Sequence, residues 1–115
     1  MPSTSEIKLN ITMDANGTPE KMTWLSSDAN NGQAQDCKAF FLSIWDANPQ
    51  DAALRIDLWT KEMRTDEMDK LFFQTIMTMA QTYRNANGNE TMSKEIEAFG
   101  YEFGQKVGLL KPAEK

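Results

Sequence analysis

Histidine is absent from the chain and cysteine occurs once, as Cys37. Without histidine, neither a Ser-His-Asp nor a Cys-His nucleophile system can be assembled, and the usual general base near neutral pH is missing. A single cysteine closes no intrachain disulfide, and a structural zinc site normally needs four Cys/His ligands. Positive charge is also scarce: 12 Lys and Arg stand against 17 Asp and Glu, for a formal net charge of -5. That balance, with a pI near 4.7, argues against affinity for phosphate backbones, so no nucleic-acid partner is expected. Long apolar runs are lacking as well. The longest aliphatic and aromatic stretch is Ala39 to Leu42, far short of the ~20 residues of a membrane span. The N-terminal Met-Pro-Ser-Thr-Ser-Glu has no basic region leading into an apolar one, which is the mark of a secretory signal. The expectation is a cytoplasmic protein with no membrane insertion, no metal and no cofactor.

What is present suits one globular domain over residues 1–115, with an ordered core at about 5–110 and flexible tails at 1–4 and 111–115. Hydrophobic residues make up 40% and charged residues 25%, ordinary for a folded chain. The eight methionines and three tryptophans stand out. Methionine fills irregular core gaps and is also over-used at adaptable binding surfaces.

Ile7, Leu9, Ile11 and Met13 alternate with Lys8, Asn10 and Thr12, a period of two that predicts a half-buried strand. Asp14-Ala15-Asn16-Gly17 reads as a turn. Met22 and Trp24 then alternate with Lys21 and Thr23 to close a first hairpin, with Pro19 placed before the strand proper because it cannot donate to a ladder. Residues 26–36 are polar and aperiodic, a loop. A second hairpin follows, from Cys37 to Asp46 and from Ala53 to Lys61, with Asn48-Pro49 in the turn between. The first of these segments could instead begin a short helix capped by Asp36, but its alternating partner favours a strand.

From residue 65 the period becomes helical. Thr65 is the expected N-cap, followed by Asp66 and Glu67 in the first turn. Met68, Leu71, Phe72, Ile76, Met79 and Tyr83 form one stripe, and Asn87-Gly88 ends the helix. Asn89 or Thr91 opens a second helix with Met92, Ile96, Phe99, Phe103 and Val107 on its apolar face. Gly108 closes it, and Leu109-Leu110 can fold back. Two hairpins followed by an αα-hairpin predict an α+β fold: a four-stranded antiparallel sheet with the helix pair packed on one face.

Most of the side chains that could carry chemistry have ordinary structural explanations. Cys37 lies between Asp36 and Lys38, which give little of the net positive charge that a reactive thiolate needs. Asp57 is a mid-strand carboxylate that can serve as a base or ligand hook, or can simply pair with Arg55 or Lys61. Gly100, Gly104 and Gly108 recur every four residues. Each interior glycine costs about 1 kcal/mol relative to alanine, so Gly100 and Gly104 mark a groove that admits another backbone, either within the fold or from a docking partner. The Asp/Asn-Ala-Asn tripeptides at 14–16, 28–30, 46–48 and 85–87 read as reused turn chemistry, because no spaced carboxylates and no late glutamate of a calcium loop follow.

The second hairpin is more informative. If Phe40, Leu42 and Ile44 face the core together with Leu54, Ile56 and Leu58, strand parity puts Phe41, Trp45, Arg55, Asp57 and Trp59 on the opposite face. Core-matched pairing brings Phe41 near Trp59 and Trp45 near Arg55. An aromatic patch with an arginine then sits where a sheet normally meets water, unless the 26–36 loop or the tail folds over it. Trp, Phe and Arg are the residue types enriched at interface hot spots.

The run Leu54-Arg55-Ile56-Asp57-Leu58-Trp59-Thr60-Lys61-Glu62-Met63, read with Asp66-Glu67-Met68, Phe72-Phe73-Gln74-Thr75, Leu42-Ser43-Ile44-Trp45-Asp46 and Pro19-Glu20-Lys21-Met22-Thr23-Trp24, resembles the gliding motility-associated GldC family of Bacteroidetes. The resemblance covers about residues 5 to 110. It implies a small cytoplasmic accessory protein of the gliding machinery and its associated secretion apparatus, and it brings no catalytic motif. The expected function is therefore non-enzymatic contact, by binding a protein of that machinery or by self-association. The alternative is a small-ligand carrier or minor enzyme with a Met- and Phe-lined cavity between sheet and helices.

Overall fold

The computed structural model describes residues 3–47 and 53–111, so the expected Asn48-Pro49 turn lies outside the described residues. The chain divides into two compact units, one running to Met63 and the other starting at Arg64.

The first unit contains β1 (Ile7–Met13), β2 (Pro19–Ser26), β3 (Gln35–Cys37), β4 (Ala39–Trp45) and β5 (Ala53–Trp59). All pairing is antiparallel. These strands do not form the single four-stranded sheet expected from sequence: β1-β2-β3 is one sheet and β4-β5 another. The difference lies in β3, three residues at the end of the polar loop, too short and too polar to show a period. Met22 pairs with Cys37 and Trp24 with Gln35. A bend at Lys38 then separates β3 from β4.

In the first hairpin, Leu9 faces Trp24 and Ile11 faces Met22. Met22 is 1% exposed and is the centre of this unit's core. The register shifts between Thr12 and Met13, where Met13 meets Pro19. Pro19 is thus the first residue of its strand rather than preceding it, which a bulge permits because no donor is needed there. The turn is built by Asp14, whose Oδ1 accepts from the N–H groups of Asn16 (2.9 Å) and Thr18 (3.0 Å). Gly17 takes φ +77°, a value disfavoured for side chains other than Gly and Asn. The connector after β2 is ordered locally: Ser26 Oγ accepts from the N–H groups of Asp28 and Ala29, and Asn30 Oδ1 accepts from Ser26 N–H at 2.7 Å.

The second unit is the expected αα-hairpin, α1 (Thr65–Asn87) and α2 (Glu90–Lys106). Arg64, not Thr65, is the N-cap of α1. The Glu67 carboxylate accepts from Arg64 N–H at 3.0 Å, and Asp66 pairs with the Arg64 guanidinium. The acidic first turn therefore does the capping that a threonine hydroxyl was expected to do. Gly88, in the left-handed region, ends α1 by donating to Arg84 C=O, and Asn89 caps α2 by accepting from Met92 N–H at 3.0 Å. The Asn85-Ala86-Asn87 tripeptide is the last turn of α1 rather than a loop.

The seam of this hairpin is made by small residues. Ser93, Gly100 and Gly104 of α2 and Ala80 of α1 are buried. Ser93 Oγ donates to Ala80 C=O across the seam at 2.7 Å. The larger apolar residues flank it: Phe72 of α1 stacks on Phe103 of α2 with ring centroids 6.3 Å apart. Met92 and Phe99, expected on the buried stripe, are 41% and 57% exposed.

Candidate functional site

The β4-β5 ribbon presents two faces set by its register. Phe40 pairs with Leu58, Leu42 with Ile56 and Ile44 with Leu54, which gives one wholly aliphatic and aromatic face. On the other face Phe41 is opposite Asp57, and Ser43 is opposite Arg55. Trp59 is paired with Ala39, so it lies diagonal to Phe41, and Trp45 lies diagonal to Arg55 in the same way. These diagonals are within reach of aromatic and long side chains. The five residues Phe41, Trp45, Arg55, Asp57 and Trp59 thus share one side of the ribbon.

Trp45 is 67% exposed and Trp59 53%, so the 26–36 loop covers neither indole. Arg55 lies along the strand and donates from one Nη to both oxygens of Asp57, at 3.2 and 3.0 Å. Both side chains are substantially exposed, and such a surface pair contributes about 0–1 kcal/mol. Its effect is positional. It holds a fixed positive and negative group between the two indoles and removes net charge from the patch. Exposed tryptophans beside an arginine are the composition of an interface centre.

The β1-β2 turn stands beside this face. Gly17, Thr18 and Pro19 border, with Asp57, Leu58 and Trp59, an open depression of about 230 Å³. Asp14 anchors the turn through an ion pair with Lys61, just past β5. The Lys61 ammonium and the backbone donors of Thr18 and Asn16 pull the Asp14 carboxyl down to about 2, and Asp14 in turn raises Lys61. In the sequence Asp14 reads as a turn residue only. Nothing local to either residue signals an ion pair across 47 positions.

A second depression, of about 510 Å³, is ringed by Glu20, Lys21, Asp36, Lys38 and Glu62 around Met22. Its lining is mostly charged and comes from the first unit alone. Cys37 touches this depression half-buried, and burial together with Asp36 pushes its thiol up. That shift leaves little thiolate near neutral pH.

Gly100 and Gly104 sit against α1 and the chain end. A methyl group built on Gly100 would meet Met77 Sδ at 2.5 Å, and one on Gly104 would meet Phe73 and Leu110 at 2.9 Å. The close approach these glycines allow is taken within the hairpin by Met77 and Phe73, and by Leu110, whose N–H donates with that of Leu109 to Gly104 C=O. Among the described residues no group of three or more His, Cys, Asp or Glu is placed to hold a metal ion. No helix there is long and apolar enough to cross a membrane.

Compared with known proteins, residues 19–109 match the model of a family described as gliding motility-associated protein GldC-like. The matched span takes in β2 through α2 and every residue of the aromatic face. No curated protein and no solved structure matches.

Proposed function

The chain belongs to the GldC-like family of gliding motility-associated proteins, and from that premise we propose that it is a non-enzymatic, cytoplasmic accessory protein of the motility and secretion machinery. It acts by protein–protein contact through the face formed by Phe41, Trp45, Arg55, Asp57 and Trp59. The observation that carries this reading is the pair of exposed indoles, Trp45 and Trp59, flanking the Arg55–Asp57 ion pair on a folded sheet. A tryptophan buries on the order of 200 Å² when a partner covers it. Two of them beside a neutralised ion pair offer a large apolar contact without a buried unpaired charge. The absence of histidine is in keeping with contact rather than acid–base chemistry.

The test replaces the chromosomal gene with one encoding Trp45→Ala and Trp59→Ala in a gliding bacterium of this family. Gliding and in-cell crosslinks to motility proteins should both fall, at unchanged cellular levels of the variant. Normal gliding with the same crosslinks would overturn the assignment of this face. Cell fractionation checks the compartment: recovery of the protein outside the cytoplasmic fraction would overturn that part.

A further inference from the structure

The strand that carries Arg55 and Asp57 also has an edge distinct from the aromatic face, although the two share these side chains. Among the described residues β4 is the only strand paired with β5. The ladder shows which groups the other edge presents. Thr60 N–H donates to Lys38 C=O at 2.8 Å, and the same register continues through Leu58 with Phe40 and Ile56 with Leu42. In an antiparallel ladder bonded and non-bonded pairs alternate. Leu54, Ile56 and Leu58 therefore direct their backbone groups to β4, while Arg55 and Asp57 turn their N–H and C=O groups outward. An unpaired edge of this kind is a template for another strand. Lysine and proline, which often blunt such edges, are absent from β5.

The residues along this edge are complementary to their own reverse. About a twofold axis at Ile56, antiparallel pairing sets Leu54 opposite Leu58, Ile56 opposite itself, and Arg55 opposite Asp57 of the other copy. We propose that a second copy of this chain pairs with β5 in this register, making a four-stranded β4-β5-β5-β4 sheet. Arg55 and Asp57 of the two copies exchange both backbone hydrogen bonds. Their side chains form a square of alternating charge, because each Arg55 already holds its own Asp57 at 3.0 Å. On the opposite face Leu54 and Ile56, 56% and 36% exposed, gain cross-strand aliphatic neighbours. Charge also selects the register. Sliding by two residues places Arg55 opposite Arg55 or Asp57 opposite Asp57, and sliding by one puts the charges on opposite faces. The contact is isologous, so it closes as a dimer.

Sedimentation and light scattering on the full chain test this through a charge swap. Wild type should dimerise. R55D and D57R should each weaken the dimer by about tenfold or more, since each opposes like charges across the pair. An equimolar mixture of the two variants should recover a dimer containing one of each. A wild type that stays monomeric, single variants that dimerise as well as wild type, or a mixture that stays monomeric would each overturn the proposal. Ile56→Cys, made in a Cys37→Ser background, supplies a second measurement. Its two thiols meet at the twofold axis in a non-hydrogen-bonded pair, where Cα atoms lie about 4.5 Å apart, so a mild oxidant should link it to itself. Failure of that link in a folded variant would overturn the register.

Discussion

Asp14 and Lys61 form an ion pair that ties the β1-β2 turn to the segment leaving β5, 47 positions further along the chain. The same carboxylate holds the turn, through Asn16 and Thr18 N–H, on its other oxygen. One side chain thus shapes the turn and places it beside Trp59.

This pair makes stability depend on pH at the acid end. The folded Asp14 pKa of about 2 lies below the ordinary value of 3.8. A depressed carboxylate contributes stability that is present above its unfolded pKa and lost as pH falls through the folded one. Asp14→Asn keeps an oxygen acceptor for the turn and removes the charge. Its denaturation midpoint should fall below that of wild type at pH 7, and the two should converge between about pH 4 and pH 2. At the alkaline end the raised Lys61 pKa contributes stability below its ordinary value that is lost as pH rises through the folded one. Urea titrations across pH check both limbs, and equal midpoints at pH 7 would contradict the role given to Asp14.

Burial separates core residues from contact residues among the large side chains. Met22→Ala should cost about 2–5 kcal/mol, as large-to-small changes do at fully buried sites. Trp45→Ala, at a site two-thirds exposed, should stay within about 0.5 kcal/mol. Chemical denaturation of both variants decides; a Trp45→Ala loss as large as that of Met22→Ala would place the indole in the core.

The glycines of α2 should not be equivalent. At Gly100 an added methyl group meets mainly Met77 Sδ, near the end of a flexible side chain that can move aside. Alanine also gains about 1 kcal/mol of helix propensity there. At Gly104 the obstacle includes the Phe73 ring at 2.9 Å, and overpacking against a stiff ring costs about 1–3 kcal/mol. Gly104→Ala should therefore be the less stable of the two by about 1 kcal/mol or more, read from thermal or urea midpoints.

Asn89 is the N-cap of α2, its side chain accepting from Met92 N–H. Asn89→Ala should cost about 1 kcal/mol, whereas Asn89→Asp should retain the cap. Hydrogen exchange at the start of α2 locates the effect: the Met92 amide should lose protection in the alanine variant alone.

Much of the site was legible in the sequence, because it depends on parity alone. Successive side chains of a strand alternate faces, so once residues 39–45 and 53–59 are strands, Phe41, Trp45, Arg55, Asp57 and Trp59 must share a side. The helix ends were legible for a similar local reason. Gly88 supplies the left-handed φ that ends α1, and Asn89 has a short side chain that reaches an orphan N–H. The cap of α1 was not, since Arg64 is an unusual cap and its backbone N–H is met by the Glu67 carboxylate three residues on.

The sequence by itself determined the α+β class, with hairpins ahead of an αα-hairpin, the two faces of the β4-β5 ribbon, and the family to which the chain belongs. The lack of histidine and the single cysteine also narrowed the chemistry open to it. Only tertiary structure decided how those elements were partnered. It divided the strands into two sheets at Lys38, chose the small stripe Ser93, Gly100 and Gly104 as the helix seam while Met92 and Phe99 stayed largely exposed, and joined Asp14 to Lys61. The physical reason is the range of the forces involved. Periodicity, caps and turns follow from φ, ψ and neighbouring side chains within a few residues. Strand partners, seam width and long-range ion pairs depend on which distant surfaces fit together, and no local pattern records that.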